Sequence, residues 1–252
     1  MILEGCSLQG KMHKDYDVAN QDYVLYDKAG NDVVGIVCDG VSLKSDRSFS
    51  DSEIASRFVA ASIMKTLKEK LPECRNEHSI LVCLYDSLSI ADEGLNQMLK
   101  KKGISLYDCQ TTALAFVYRK CRIYAAMAGD GGIIYQTRDG EYGVLQTRVK
   151  TSSCVDPICD RGSWRFGKAG SAGNPVYRLL IATDGVFDSI CRWDHDGMSL
   201  DAYVLKKMFE ISKMKKNSRK DAFKTIIESI RSHDDKSAIL MIDGKSAPDL
   251  HS

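Results

Sequence analysis

With 252 residues, 44% of them hydrophobic, the chain is long enough to bury the core of one sizeable domain. Its 35 basic and 34 acidic residues leave a formal charge of +1, so bulk attraction to nucleic acid or to a membrane surface is not what organises it. No apolar run reaches the length of a transmembrane helix, and Met1-Ile-Leu-Glu-Gly lacks the regions of a signal peptide, so a cytoplasmic protein is expected.

In chain order, alternating or continuous apolar runs predict strands over residues 2–8, 22–26 and 33–38, read together as an N-terminal meander. Ser50-Asp-Ser-Glu opens a predicted helix over 53–70, with Ile54, Phe58, Ala61, Met64 and Leu67 as its buried stripe and Pro72 at its end. A second helix over 79–101 carries Leu81, Leu84, Leu88, Ala91, Leu95, Met98 and Leu99, and its basic run Lys100-Lys-Lys102 suits a helix C-terminus. Strands over 111–118, 121–128, 132–137 and 142–147 predict an antiparallel sheet, with Asp139-Gly140 as a plain hairpin turn. Residues 148–175 read as an irregular loop, in which Trp164 and Phe166 either cover a site as a flap or pack against the body. A strand over 176–183, helices near 200–214 and 219–231, and a closing strand over 237–242 complete an α+β pattern in one domain.

Chemistry is concentrated where apolar strands run straight into Asp-Gly. Ile36-Val-Cys-Asp39-Gly40 and Ile181-Ala-Thr-Asp184-Gly185 do so, and Met127-Ala-Gly-Asp130-Gly131 nearly repeats them. A carboxylate at the end of a buried strand is poorly hydrated and costs several kcal/mol unless a partner neutralises it, and a divalent cation is one such partner. The Gly allows a sharp turn and brings a bare carbonyl close to whatever the carboxylate binds. Nine cysteines form no Cys-x-x-Cys pair, and Cys154 and Cys159 have the wrong spacing for zinc, so reduced, structural thiols are expected.

The ordered set Asn20-Gln21-Asp22, Asp39-Gly40, Gln110-Thr-Thr-Ala113, Ala128-Gly-Asp130-Gly, Ala182-Thr-Asp184-Gly-Val-Phe-Asp188 and His233-Asp234-Asp235-Lys-Ser237 resembles the PPM/PP2C family of metal-dependent serine/threonine protein phosphatases, in its compact bacterial branch. The resemblance implies a central antiparallel β-sandwich flanked by helix pairs in four αββα layers, with a two-metal centre at one end. It further implies that Asp39 bridges two Mn²⁺ or Mg²⁺ ions, that the Gly40 carbonyl binds one, and that Asp184 and Asp234 hold the other. Asp22 then lies beside the pair and holds metal-bound water, and Asp130, Asp184 and Asp188 bind an optional third ion. Hard cations prefer such oxygen donors, and a bridging hydroxide needs no Cys or Ser nucleophile.

The chain departs from the family pattern at four places. Gln21 replaces an acidic residue, no Arg stands in Lys14-Asp-Tyr-Asp-Val18, Val41 replaces a His, and Gly-Asp-Ser-Arg has become Gly129-Asp130-Gly-Gly132. His13, or Lys14 beside it, is then the candidate phosphate contact, with a structural or surface residue as the other reading of His13. Asp46, Arg47 and Asp51 read as solvated loop and helix-start residues, and Lys215-Lys216 with Arg219-Lys220 as a solvated face. The resulting expectation is a monomeric phosphatase acting on phosphoserine and phosphothreonine in a protein substrate opposite a Ser/Thr kinase, with no nucleic-acid or membrane partner. A phosphatase-fold binding module with little turnover and a small-molecule phosphatase are the alternatives.

Overall fold

The computed structural model describes residues 1–41, 51–146, 155–195 and 197–244, so the expectations for Asp46, Arg47 and Cys154 lie outside it. Asp32–Cys38 is buried along its whole length, and its side chains alternate between two apolar layers. Val34, Ile36 and Cys38 join a core beneath two helices, whereas Val33 and Val37 join one between two sheets. Residues 113–118 divide in the same way, with Ala113, Ala115 and Val117 beneath the helices and Leu114, Phe116 and Tyr118 between the sheets. This period of two, with both faces covered, is what a sheet in a four-layer stack requires.

The chain begins with β1 (Ile2–Leu8), a short helix α1 (Lys11–Asp15), the hairpin β2 (Tyr23–Ala29) and β3 (Asp32–Cys38), and a two-residue strand β4 (Gly40–Val41). Helices α2 (Ser52–Lys70) and α3 (Glu77–Lys102) follow, then β5 (Gln110–Thr111), β6 (Ala113–Arg119), β7 (Arg122–Ala128), β8 (Gly132–Thr137), β9 (Tyr142–Gln146) and β10 (Arg165–Ala169). The C-terminal part holds β11 (Val176–Ala182), α4 (Asp184–Ile190), the hairpin β12 (Cys191–Asp194) and β13 (Gly197–Leu200), α5 (Ala202–Glu210), α6 (Lys216–Ser229) and β14 (Lys236–Ile242).

Two five-stranded antiparallel sheets, ordered β1-β14-β11-β8-β9 and β10-β7-β6-β3-β2, form the sandwich. Helices α2 and α3 cover the second sheet, and α4, α5 and α6 cover the first, which gives the expected αββα stack. The chain changes sheets between β7 and β8 through Gly129-Asp130-Gly131. Gly129 has φ 115°, a left-handed conformation that disfavours side chains, and a Cβ on Gly131 would lie 2.4 Å from the Ala182 carbonyl oxygen. Among the described residues, no helix is long and apolar enough to cross a membrane.

Several sequence expectations need correction. The first three strands are not a meander, because β1 pairs with β14 in the other sheet, Ile2 opposite Ile242 and Leu8 opposite Lys236. Strands β6 to β9 are likewise split between the two sheets. The described part of the 148–175 segment is not wholly irregular: β10 pairs with β7, Phe166 opposite Ala126. Trp164 and Phe166 pack against the body, their rings 5.7 and 5.9 Å from that of Tyr85 on α3, and the Trp164 indole donates to the Ile158 carbonyl at 2.9 Å. On α2 the buried face is centred on Ala55, Val59, Ala60, Ile63 and Leu67, while Ala61 is exposed. That helix is packed from two sides, so Phe58 turns to α3, where Gly94 makes room for its ring.

At the sandwich end away from Asp130, Arg119 ties the helical layer to the sheet. Its guanidinium holds both oxygens of buried Asp32 and donates to the carbonyls of Cys74 at 2.6 Å and Leu71 at 2.9 Å, between α2 and α3. Replacing Arg119 by Met strands a buried carboxylate and leaves two carbonyls unpaired. Urea unfolding of Arg119→Met should therefore show a loss of about 3 to 5 kcal/mol, and a loss under about 1 kcal/mol would contradict this anchoring role.

Candidate metal centre

The register of the two sheets decides which strand ends meet. Ala182 of β11 lies opposite both Gly132 of β8 and Ala238 of β14, while Cys38 of β3 lies opposite Tyr23 of β2, and Ala113 of β6 opposite Ala128 of β7. The residues one to four positions beyond these rows are Asp184, Asp130, Asp234, Asp39 and Asp22. Antiparallel pairing thus delivers five carboxylates, distant in sequence, to one end of the sandwich. Asp39, Asp130 and Asp184 each offer a carboxylate oxygen within 4.8 Å of the others.

Local hydrogen bonds fix the segments that carry Asp39, Asp184 and Asp234. The Asp39 N–H donates to Thr112 Oγ1 at 3.0 Å, and its carbonyl accepts from the Thr112 N–H at 2.8 Å and from Thr111 Oγ1 at 2.9 Å. The Gly40 N–H donates to the Gln21 carbonyl at 3.1 Å, and Ser56 Oγ of α2 donates to the same carbonyl at 2.6 Å. Gly40 is required here because a Cβ would approach Ser52 and Gln21 to within 2.7 and 2.9 Å. Asp184 begins α4, whose preceding residue Thr183 is locked to Ser237 of β14: the Thr183 N–H donates to the Ser237 carbonyl at 3.0 Å, and the Ser237 N–H donates to Thr183 Oγ1 at 3.1 Å. The Asp234 carboxylate accepts from the Asp235 N–H at 2.9 Å.

Asp22 is buried, and Thr183 Oγ1 donates to its Oδ2 at 2.8 Å. Burial, then the neighbouring Asp235 charge, pushes its carboxyl up to about 8, against opposing hydrogen bonds from Thr183, Asp39 and Ser237. Burial also raises the Asp39 carboxyl well above the usual range, and the charges of Asp22, Asp184, Asp234 and Asp130 add to it. Asp234 shifts upward through burial and then Asp184. All three shifts have one cause, the crowding of negative charge where water is scarce. The donor set is oxygen only, three carboxylates already converge, and two more adjoin them. It fits hard divalent cations such as Mn²⁺ or Mg²⁺ and lacks the soft ligands that zinc or copper prefer.

Not every sequence candidate joins this cluster. Asp188 lies one turn beyond Asp184 on α4 and is exposed, outside the set of three. His13 is 5% exposed, and its Nδ1 lies 2.9 Å from Asp235 Oδ2, so that atom faces a carboxylate and is not presented to a phosphate. Residues assigned no role from the sequence also matter: Thr111, Thr112, Thr183 and Ser237 fix Asp39 and Asp22. Their signal was present as short polar side chains inside otherwise apolar strand ends, within the same blocks as the aspartates.

Residues 9–245 match the family model for protein phosphatase 2C. No curated protein sequence matches the chain closely enough to count as a relative. Serine/threonine phosphatase Stp1 from Staphylococcus aureus superposes with a TM-score of 0.67 at 13% identity, covering 95% of this chain and 94% of that one. The catalytic domain of serine/threonine protein phosphatase PstP, in complex with two manganese ions, gives 0.62 at 16% identity over 96% and 97% of the two chains. A sex-determining protein of C. elegans gives 0.69 at 14% identity, covering 96% of this chain and 64% of that one. Identities this low speak for the fold alone, whereas the family model spans nearly the whole sequence and includes every aspartate of the cluster. The chain belongs to the protein phosphatase 2C family.

Proposed function

We propose that this protein is a metal-dependent phosphatase that removes phosphate from phosphoserine and phosphothreonine in proteins. The observation that carries the reading is the convergence of Asp39, Asp130 and Asp184 within 4.8 Å, at a sandwich end where Asp22 and Asp234 adjoin them. Family membership supports it, as do neighbours described as serine/threonine phosphatases, one with two manganese ions. In this reading Asp39, the Gly40 carbonyl, Asp184 and Asp234 would hold two Mn²⁺ or Mg²⁺ ions. Asp130 and Asp184 would serve a third ion, with the exposed Asp188, outside the converged set, as the remaining candidate ligand. When bound, such ions supply Lewis acidity, which acidifies water and neutralises charge on a phosphoryl group.

The remaining work falls to the chain. Asp22, oriented by Thr183, accepts a hydrogen bond from water at the centre and holds it in place. The thiol nearest the cluster, Cys38, is fully buried, and burial followed by the charges of Asp22 and Asp39 keeps it protonated, so it is no nucleophile. A water-derived nucleophile is the chemistry left to this arrangement. The substrate is then a phosphorylated segment of a protein, which would place the enzyme opposite a Ser/Thr kinase.

Hydrolysis of an aryl phosphate and of phosphopeptides should require Mn²⁺ or Mg²⁺ and stop in excess chelator. Asp39→Asn and Asp184→Asn should each lower kcat/KM by roughly 100-fold or more. Full activity in either variant, or in chelator, would contradict the proposal.

The raised carboxyls also fix a pH dependence. Between about pH 4 and about pH 8 the metal-free folded protein binds a proton at Asp22 that the unfolded chain releases, so its stability falls as pH rises through that window, and the raised Asp39 carboxyl acts in the same direction. A divalent cation replaces such protons and removes the loss. Thermal unfolding in chelator should show Tm dropping as pH rises, with the slope flattened by saturating Mn²⁺. A metal-free Tm that does not change with pH would refute this account of the cluster.

A further inference from the structure

Beside the cluster is a further carboxylate, Asp235, whose charge acts on Asp22. Asp235 is 2% exposed, and both its oxygens are occupied by donors from the N-terminal segment. The Gly10 N–H donates to Oδ1 at 2.6 Å, the Gln21 N–H donates to Oδ2 at 2.6 Å, and His13 Nδ1 lies 2.9 Å from Oδ2. A further strap runs from the Met12 N–H to the His233 carbonyl at 3.0 Å. The backbone of 234–235 is meanwhile pressed between two glycines: a Cβ on Gly10 would lie 2.3 Å from the Asp234 carbonyl carbon, and one on Gly185 would lie 2.0 Å from the Asp235 carbonyl oxygen.

These contacts have a common geometric consequence. Gln21 precedes Asp22, Gly185 follows Asp184, and Asp235 follows Asp234. One buried carboxylate therefore binds the chain next to Asp22 while its own backbone fixes Asp234 and packs against the residue after Asp184. We infer that Asp235, with His13 as its side-chain partner, is a positioning residue that sets the spacing of Asp22, Asp184 and Asp234 before any ion arrives. The inference rests on the metal-centre reading given above and adds a role for two residues that touch neither ion nor substrate.

The chemistry makes the pair specific. Among the described residues Asp235 is met by the Gly10 and Gln21 N–H groups and by His13 Nδ1, and both its oxygens are in use, so an Asn would turn its amide nitrogen toward an N–H donor. His13 contributes through Nδ1, and an Asn at that position places its side-chain nitrogen close to where Nδ1 lies. Carboxylates gathered in advance bind a cation more tightly than carboxylates that must be gathered on binding.

The test is Mn²⁺ titration of the full chain by calorimetry, with urea unfolding of the metal-free protein alongside. Asp235→Asn and His13→Ala should weaken Mn²⁺ binding by about 10-fold or more, whereas His13→Asn should restore it to near the wild-type value. Should Asp235→Asn fail to fold, the comparison of His13→Ala with His13→Asn decides the matter. Unchanged Mn²⁺ affinity in His13→Ala, whatever its stability to urea, would overturn the positioning role and leave a purely structural contact. A wild-type protein that takes up no pair of Mn²⁺ ions would overturn the metal-centre reading itself, and this inference with it.

Discussion

Mutual repulsion among buried carboxylates is the constraint around which this molecule is arranged. Asp22, Asp39, Asp130, Asp184 and Asp234 lie at one end of a sandwich whose interior is apolar, and the charges of the other four raise the cost of ionising Asp39. A fold can hold such a cluster only if the backbone is fixed by other means. Here antiparallel pairing aligns the strand ends, threonine and serine hydroxyls pin the turns, and glycines at 40, 131 and 185 let main chains approach more closely than a Cβ permits.

The two ends of the sandwich treat buried charge differently. Asp32, at one end, is neutralised within the protein by the Arg119 guanidinium, and the pair joins the α2–α3 layer to the sheet. The opposite end gathers several carboxylates around one space. Asp235 stands between these cases: it is buried, as Asp32 is, yet it is met by two N–H groups and an imidazole, so its charge serves the scaffold. Asp234 and Asp235 are adjacent in sequence, yet the second is met by backbone N–H groups of the N-terminal segment.

Much of this was legible in the sequence. Continuous apolar runs ending in Asp-Gly marked β3 and β11, their lack of an immediate return strand set them apart from the plain turn at Asp139-Gly140, and the helices α2 and α3 followed from their periodicity and their Pro and Gly ends. What stayed hidden depends on distant partners. The pairing of β1 with β14 joins the two ends of the described chain and leaves no local trace. Strand β10, Arg-Phe-Gly-Lys-Ala, is mostly exposed and owes its conformation to the edge of β7. Helix α1 is too short to show a period, and its place is fixed by His233 and Asp235. For the same reason His13 read as a phosphate contact: sequence shows the residue type, and only the fold shows that Asp235 lies behind it.

Anomalous diffraction at the manganese edge, from crystals grown with Mn²⁺, tests the central claim most directly. Two peaks flanking the Asp39 carboxylate, one of them within reach of Asp184 and Asp234, are the predicted result. Absence of any peak at the cluster, or ions bound only away from Asp39, would contradict the account.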